Sequence, residues 1–251
     1  MAKLRPKKHL GQHFLHDGAA AQRIVGALQA DQQATVVEIG PGEGVLTRYL
    51  FERFENFTAV EVDPEAVMFL KHNLSHDLRI VHRDVLQWEP EQELGDEIHF
   101  IGNLPYNISS PFFFKLLENR EKVKEGVFMI QKEVADRICA GPGSKTYGIL
   151  SVLLGTYFDL SYEFSVPPGA FRPPPKVMSG VIHLLAKDPT PDVPFEELRK
   201  IVKAAFGQRR KTLRNALKSL DIPWEQLPED WPTRRAEQMP VEAFWQLLKH
   251  R

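Results

Sequence analysis

The chain predicts an α/β protein, with a doubly wound, mainly parallel sheet over residues 1–187 and a small helical domain over residues 188–251. Three observations carry this. Short apolar, β-branched runs alternate with amphipathic stretches from Val36 to Lys187, the pattern of repeated βα units. The first run passes straight into Gly40-Pro41-Gly42-Glu43-Gly44, a glycine-rich turn of the kind that α/β sheets place beneath a bound nucleotide. Beyond the stiff connector Asp188-Pro189-Thr190-Pro191-Asp192-Val193-Pro194 only helical periodicity remains.

In order along the chain, strands are expected at residues 36–39, 58–62, 78–81, 98–101, 126–130, 159–166 and 178–185. Helices are expected at 45–54, 65–73, 111–118, 133–139 and 147–158. The last two strands have no helix between them and should form an antiparallel hairpin at one edge. Glycines at Gly40, Gly42 and Gly44 allow positive φ, and a helix starting near Val45 would aim its free N–H groups at a ligand.

Composition narrows the function classes. A chain of 251 residues that is 43% hydrophobic can bury one large core and a smaller one. The formal net charge of −1 creates no overall field, but its distribution is uneven. Residues 1–16 hold Lys3, Arg5, Lys7, Lys8 and three histidines without an acid, and residues 199–218 hold eight Lys/Arg without an acid. The lone Cys139 excludes an intramolecular disulfide and suits a reducing compartment. No apolar run is long enough to span a membrane and no signal-peptide core appears, so a cytoplasmic protein with no metal site is expected.

The glycine turn does not fit a dinucleotide. A Gly-x-Gly-x-x-Gly fingerprint would need glycine where Val45 stands. Glu38 and Glu43 would sit badly beside a pyrophosphate, yet they tolerate a cofactor carrying an ammonium and a sulfonium. The second strand ends in Val60-Glu61-Val62-Asp63, where such sites place a carboxylate on ribose hydroxyls. The third ends at Asp84, on the same rim, where a carboxylate can accept from the exocyclic amine of an adenine. S-adenosyl-L-methionine fits better than NAD. The alternative is a tight turn with surface acids, Asp84 being an ordinary turn or cap residue.

The fourth strand runs into Asn103-Leu104-Pro105-Tyr106. This offers a side-chain amide oxygen, a backbone carbonyl fixed beside a proline, and an aromatic face. The exocyclic nitrogen of adenine is a weak nucleophile because its lone pair is delocalised into the ring. Acceptors on Asn103 and the Leu104 carbonyl can hold its hydrogens and stabilise the charge that grows during methyl transfer, while Tyr106 stacks on the ring and orients it. A loop containing one buried tyrosine is the alternative.

In these motifs the chain resembles the ribosomal RNA adenine N6-dimethyltransferases, and within them the small-subunit (16S) type. The resemblance runs from Leu10-Gly11-Gln12-His13-Phe14-Leu15 through Asn103-Leu104-Pro105-Tyr106-Asn107 and Phe171-Arg172-Pro173-Pro174-Pro175-Lys176 to Gln208-Arg209-Arg210-Lys211-Thr212-Leu213-Arg214. It implies a Rossmann-like S-adenosylmethionine-dependent methyltransferase sheet, with a catalytic domain at 1–187 and an RNA-binding domain at 188–251. It implies that Gln12, His13 and Leu15 line the methionine end of the cofactor, His13 standing where many members carry asparagine. Gly40 and Gly42 would approach the cofactor, Glu61 its ribose, Asp84 its adenine and Asn103 the reacting centre. Phe171 would close on the flipped base opposite Tyr106, unless it is a core aromatic beneath the edge hairpin. Arg209, Arg210, Lys211 and Arg214 would contact phosphates while Leu213, Ala216, Leu217 and Leu220 face a core. The implied reaction is dimethylation of N6 of two adjacent adenosines in a hairpin near the 3′ end of 16S ribosomal RNA, by a monomer acting on the small subunit or its precursor. Rivals are the large-subunit type of enzyme that confers macrolide resistance and a non-catalytic RNA-binding factor on the same fold.

Overall fold

The computed structural model describes residues 4–90, 94–95 and 97–249. Lys3, part of the basic N-terminal segment, lies outside them. The chain forms β1 (Phe14–Leu15), α1 (Gly18–Gly26), β2 (Thr35–Ile39), α2 (Thr47–Arg53), β3 (Asn56–Glu61), α3 (Pro64–Asn73), β4 (Ile80–His82) and β5 (Ile98–Asn103). It continues through α4 (Ser109–Glu118), β6 (Val123–Gln131), α5 (Lys132–Ile138), α6 (Ile149–Tyr157), β7 (Phe158–Val166), β8 (Phe171–Arg172) and β9 (Ser179–Ala186). Every expected strand and helix of this part has its counterpart, displaced by a few residues at the ends.

Seven strands share one sheet in the order β4-β3-β2-β5-β6-β9-β7. β2 pairs in parallel with both β3 and β5, and the parallel pairing extends to β4 on one side and β6 on the other. Strand order therefore reverses between β2 and β5, and the crevice outside their carboxyl ends is where such sheets bind ligands. Ile39 faces Gly102 in register, and a Cβ on Gly102 would lie 2.6 Å from the Ile39 carbonyl oxygen. Only glycine lets the two strands finish side by side there. Val36, Val37, Ile39, Ala59, Val60 and Ile101 are all buried, as expected of strands covered on both faces. The edge hairpin is looser than expected: β9 is inserted between β6 and β7, antiparallel to β6, and β8 with its prolines lies in the connection.

Three short elements were not anticipated. α1 is capped by Asp17, whose carboxylate accepts from Ala19 N at 2.9 Å and Ala20 N at 3.1 Å, and it buries Ala20, Ala21, Ile24 and Val25. β1 and β8 pair antiparallel, Phe14 opposite Arg172 and Leu15 opposite Phe171. Leu15, Ile24, Leu50, Leu70, Ile101 and Phe171 join one hydrophobic cluster, each such side chain stabilising the fold by roughly 1.5–3 kcal/mol.

The chain divides into two compact units. One runs through Ala135 and resumes over Ser161–Ala186; the other comprises Asp136–Leu160 and the chain from Lys187 onward. Assigning all of 1–187 to the sheet therefore needs correcting for α6. Ile149, Leu150, Val152, Leu153 and Leu154 make this helix apolar around its circumference, so it needs cover on several sides. It finds that cover against α7 (Phe195–Gly207) and α9 (Val241–Lys249). Within this unit Trp245 Nε1 donates to Thr156 Oγ1 at 3.0 Å, the Tyr157 hydroxyl donates to the Val193 carbonyl at 2.8 Å, and Phe206 stacks on Phe244. A short α8 (Leu213–Ala216) completes the unit's helices.

Candidate active site

The turn after β2 is built on positive φ, with values of 66° at Gly40, 55° at Gly42 and 77° at Gly44. The N–H groups of its three glycines are already taken. Gly40 N donates to the Val60 carbonyl at 2.9 Å, Gly42 N to Glu61 Oε2 at 3.2 Å and Gly44 N to the Pro41 carbonyl at 2.8 Å. α2 begins at Thr47, two residues after the expected start. The anticipated helix N-terminus over the ligand is thus replaced by a loop whose glycine N–H groups are spent on β3 and on the turn itself. A floor of this kind lacks the bare N–H nest that a pyrophosphate requires, and this agrees with the failure of the dinucleotide fingerprint at Val45.

Carboxylates dominate the rim. Glu61 is buried and also accepts from Asp63 N at 2.8 Å; burial pushes its carboxyl above the ordinary range, against the backbone hydrogen bonds that lower it. Glu38, 1% exposed, is pushed up to about 8, chiefly by burial, with the Thr47 hydroxyl opposing and the nearby Glu61 adding to the rise. The Thr47 hydroxyl lies beside it without a hydrogen bond of good geometry, and Glu38 Oε2 has no partner among the described residues. Glu43 is neutralised by Arg172, whose Nη2 donates to both its oxygens at 2.8 and 2.7 Å. Asp84 Oδ1 accepts from Leu86 N at 2.9 Å in a local turn.

At the end of β5, Asn103 Nδ2 donates to the His13 carbonyl at 3.1 Å. A carbonyl can only accept, so this bond fixes which end of the amide is oxygen. Asn103 Oδ1 accepts no hydrogen bond among the described residues. The turn that follows is held by Ile108 N and Ser109 Oγ, both donating to the Pro105 carbonyl. The Tyr106 ring is stacked with His13 at 5.6 Å between centroids and 29° between planes. Its hydroxyl shares a hydrogen bond of 2.7 Å with Ser179 Oγ on β9. Burial raises the Tyr106 phenol, with that bond opposing. His13 Nδ1 in turn donates to the Pro173 carbonyl at 2.8 Å. The segment carrying these residues is tied across β3 by Lys7 and Gln12, which donate to the two oxygens of Asp63 at 2.7 and 3.1 Å.

Gln12, His13, Leu15, Gly40, Gly42, Glu61, Asp84, Asn103, Leu104 and Tyr106 all line one cavity at the carboxyl ends of β2 and β5. Phe171 does not, which corrects its placement as a base-facing aromatic. It is 3% exposed, paired with Leu15 and packed in the main core cluster, because β8 turns its ring inward. Arg209 is engaged within its own unit. Its Nη2 donates to the carbonyls of Lys145 and Tyr147 at 2.9 and 3.0 Å and to Glu237 at 3.2 Å, so the cation organises its own unit. Arg210 and Lys211 are exposed in the turn between α7 and α8. Arg214 places its guanidinium over the Trp224 ring at 5.9 Å. Leu213, Ala216 and Leu217 are buried as expected.

Sequence reasoning missed Val62, Arg83 and Val85, which also line the cavity. Val62 is 43% exposed beside it, an apolar surface suited to a planar base. Its position directly after Glu61 was the available signal. Ser179 carried no signal, since its partner Tyr106 is 73 residues away.

The sequence matches the family model described as ribosomal RNA adenine dimethylase over residues 3–243. It is 46% identical to ribosomal RNA small subunit methyltransferase A of Cytophaga hutchinsonii over 98% of this chain and 97% of that protein. The same holds for the protein of that name from Parabacteroides distasonis, 46% identical over 98% of this chain and 94% of that one. Among solved structures, a dimethyladenosine transferase from Plasmodium falciparum superposes with a TM-score of 0.82 at 25% identity, covering 94% of this chain and 96% of that one. The 23S rRNA methyltransferase ErmE is alike in fold, with a TM-score of 0.72 at 24% identity over 94% of this chain and 99% of that one.

Proposed function

Because the chain belongs to the ribosomal RNA adenine dimethylase family, we propose that it dimethylates N6 of two adjacent adenosines in a hairpin near the 3′ end of 16S ribosomal RNA. The protein is an S-adenosylmethionine-dependent rRNA adenine dimethyltransferase. Its substrate in this reading is the small subunit or a precursor of it, met in the cytoplasm by a monomer. No helix among the described residues is long and apolar enough to cross a membrane.

The observation that carries the reading is the shared cavity, in which the unspent acceptor of Asn103 and the ring of Tyr106 stand beside two buried carboxyls, Glu38 and Glu61. That donor and acceptor set suits a cofactor with an ammonium, a sulfonium and a ribose, and it suits a phosphate poorly. When bound, S-adenosylmethionine supplies a methyl group activated by its sulfonium. Glu61 would hold the ribose, Asp84 and Val62 the adenine, and the positive-φ backbone at Gly40 and Gly42 would allow close approach. Asn103 Oδ1 and the Leu104 carbonyl would accept the two hydrogens of the target N6, favouring a pyramidal nitrogen and stabilising its growing charge. Tyr106, already fixed by Ser179, would stack on the extruded base and set its angle. No strong base is needed, since an arylammonium gives up its proton readily to water.

The test is methyl transfer from labelled S-adenosylmethionine to undermethylated small subunits, the same RNA stripped of protein, and large-subunit RNA. Label mainly in the small subunit is expected. Label confined to large-subunit RNA would move the assignment to the resistance type, and cofactor binding without transfer would leave an RNA-binding factor.

A further inference from the structure

Of the carboxyls that line the cavity, Glu61 and Asp84 are assigned to the cofactor and Glu43 is paired with Arg172, which leaves Glu38. It sits on β2 two residues before the glycine turn, is 1% exposed, and has an oxygen with no partner among the described residues. The titratable groups around the same cavity are His13, Glu43, Glu61, Arg83, Asp84 and Tyr106. Glu61, from β3, acts on Glu38 directly and disfavours its charge. Arg172 already neutralises Glu43, Lys7 is committed to Asp63 and Glu65, and α2 contributes only the uncharged Thr47 hydroxyl. β5 offers uncharged Ile101 opposite Glu38 in the sheet. A buried carboxyl in such company is held neutral until a cation arrives.

We propose that Glu38 is protonated in the cofactor-free protein and releases its proton to solvent when the α-ammonium of the cofactor enters the cavity, so that binding is coupled to proton release at neutral pH. The balance is simple. The carboxyl O–H bond breaks, its electron pair stays on oxygen, and the new carboxylate faces the entering ammonium. The direction of the Glu38 shift agrees with this. Neutral Glu38 before the cofactor binds also spares the fold two adjacent buried charges. This rests on the cavity being the cofactor site, and the measurement separates the two claims.

The experiment is titration calorimetry of the full chain at pH 7 in two buffers of different ionisation enthalpy, which counts protons released on binding. S-adenosylhomocysteine, which has the ammonium and no sulfonium, should release close to one proton. Its affinity should rise about tenfold from pH 6 to pH 7, below the range in which the ligand's own amine titrates. 5′-Methylthioadenosine, which lacks the amino acid, should bind and release none. Glu38→Gln should still bind S-adenosylhomocysteine with the proton count near zero. Binding without proton release in the parent chain, or an unchanged count in Glu38→Gln, would overturn the proposal. Absence of binding by any of these ligands would instead overturn the cavity's assignment. Should Glu38→Gln fail to fold, the contrast between the two ligands on the parent chain still decides.

Discussion

Tyr106 is held at its hydroxyl by Ser179 and across its face by His13, and its ring plane is therefore set before any base arrives. Preorganisation of this kind contributes to turnover and not to cofactor affinity. Ser179→Ala is expected to lower kcat roughly tenfold while leaving S-adenosylmethionine affinity unchanged, and Ser179→Thr to restore most of it. Tyr106→Ala should lose most turnover, again with cofactor affinity kept. Steady-state kinetics beside equilibrium binding checks both; a change in binding alone would contradict them. At this scale the sequence was informative wherever function depends on residues close together in the chain. Asn103, Leu104 and Tyr106 follow one strand, and Glu61 and Asp84 each end another, so their shared rim follows from topology. Ser179 was illegible because only β-sheet pairing brings β9 beside the Tyr106 turn. Phe171 was legible as an aromatic in a proline-rich loop, but the direction of its ring depends on β1 pairing with β8.

The glycine turn is read correctly in place, while its N–H groups serve a task the sequence did not suggest. Positive φ was expected at Gly40, Gly42 and Gly44 and is present at each. The donors of the turn, however, are taken by Glu61, Val60 and Pro41, so its task is to shape the cavity floor. A Cβ on Gly42 would come within 2.9 Å of the Phe14 ring and would sit at a φ that costs an L-residue roughly 1–2 kcal/mol. Gly42→Ala is therefore expected to destabilise the protein by about that amount or more and to weaken cofactor binding at least tenfold. Denaturant melts and equilibrium binding measure the two effects; a variant with parental values in both would show that the turn is not under this constraint. α1 escaped notice because Gly18-Ala19-Ala20-Ala21 is a weak apolar signal, although the Asp17 cap was visible. α6 was visible as a helix, but its all-round apolar surface should have marked it as the centre of a helical unit rather than the cover of a sheet.

Across the whole molecule a net charge of −1 conceals cations with different employment. The acid-free run at residues 199–218 resembled a single basic face, yet Arg209 is paired with Glu237, 28 residues further on. Arg210 and Lys211 are exposed beside it. Arg209→Ala would remove the donor to two carbonyls and a carboxylate, so it should destabilise the chain by about 0.5–1.5 kcal/mol. Arg210→Ala and Lys211→Ala should leave stability within about 0.5 kcal/mol. Each should weaken RNA binding and lower the salt dependence of that binding by about one unit of slope. Thermal melts and filter binding at several salt concentrations distinguish these behaviours. Charge runs reveal composition, while pairing across a fold decides which charges remain for a partner.

The central claim is that this cavity transfers methyl groups to two neighbouring adenosines of small-subunit RNA. The most direct test is to react undermethylated small subunits with S-adenosylmethionine and the parent chain, digest the RNA, and locate the modified nucleosides by mass spectrometry. Two adjacent N6,N6-dimethyladenosines in a hairpin near the 3′ end are the expected result. Monomethyladenosine alone, or dimethyladenosine elsewhere in the RNA, would contradict the account.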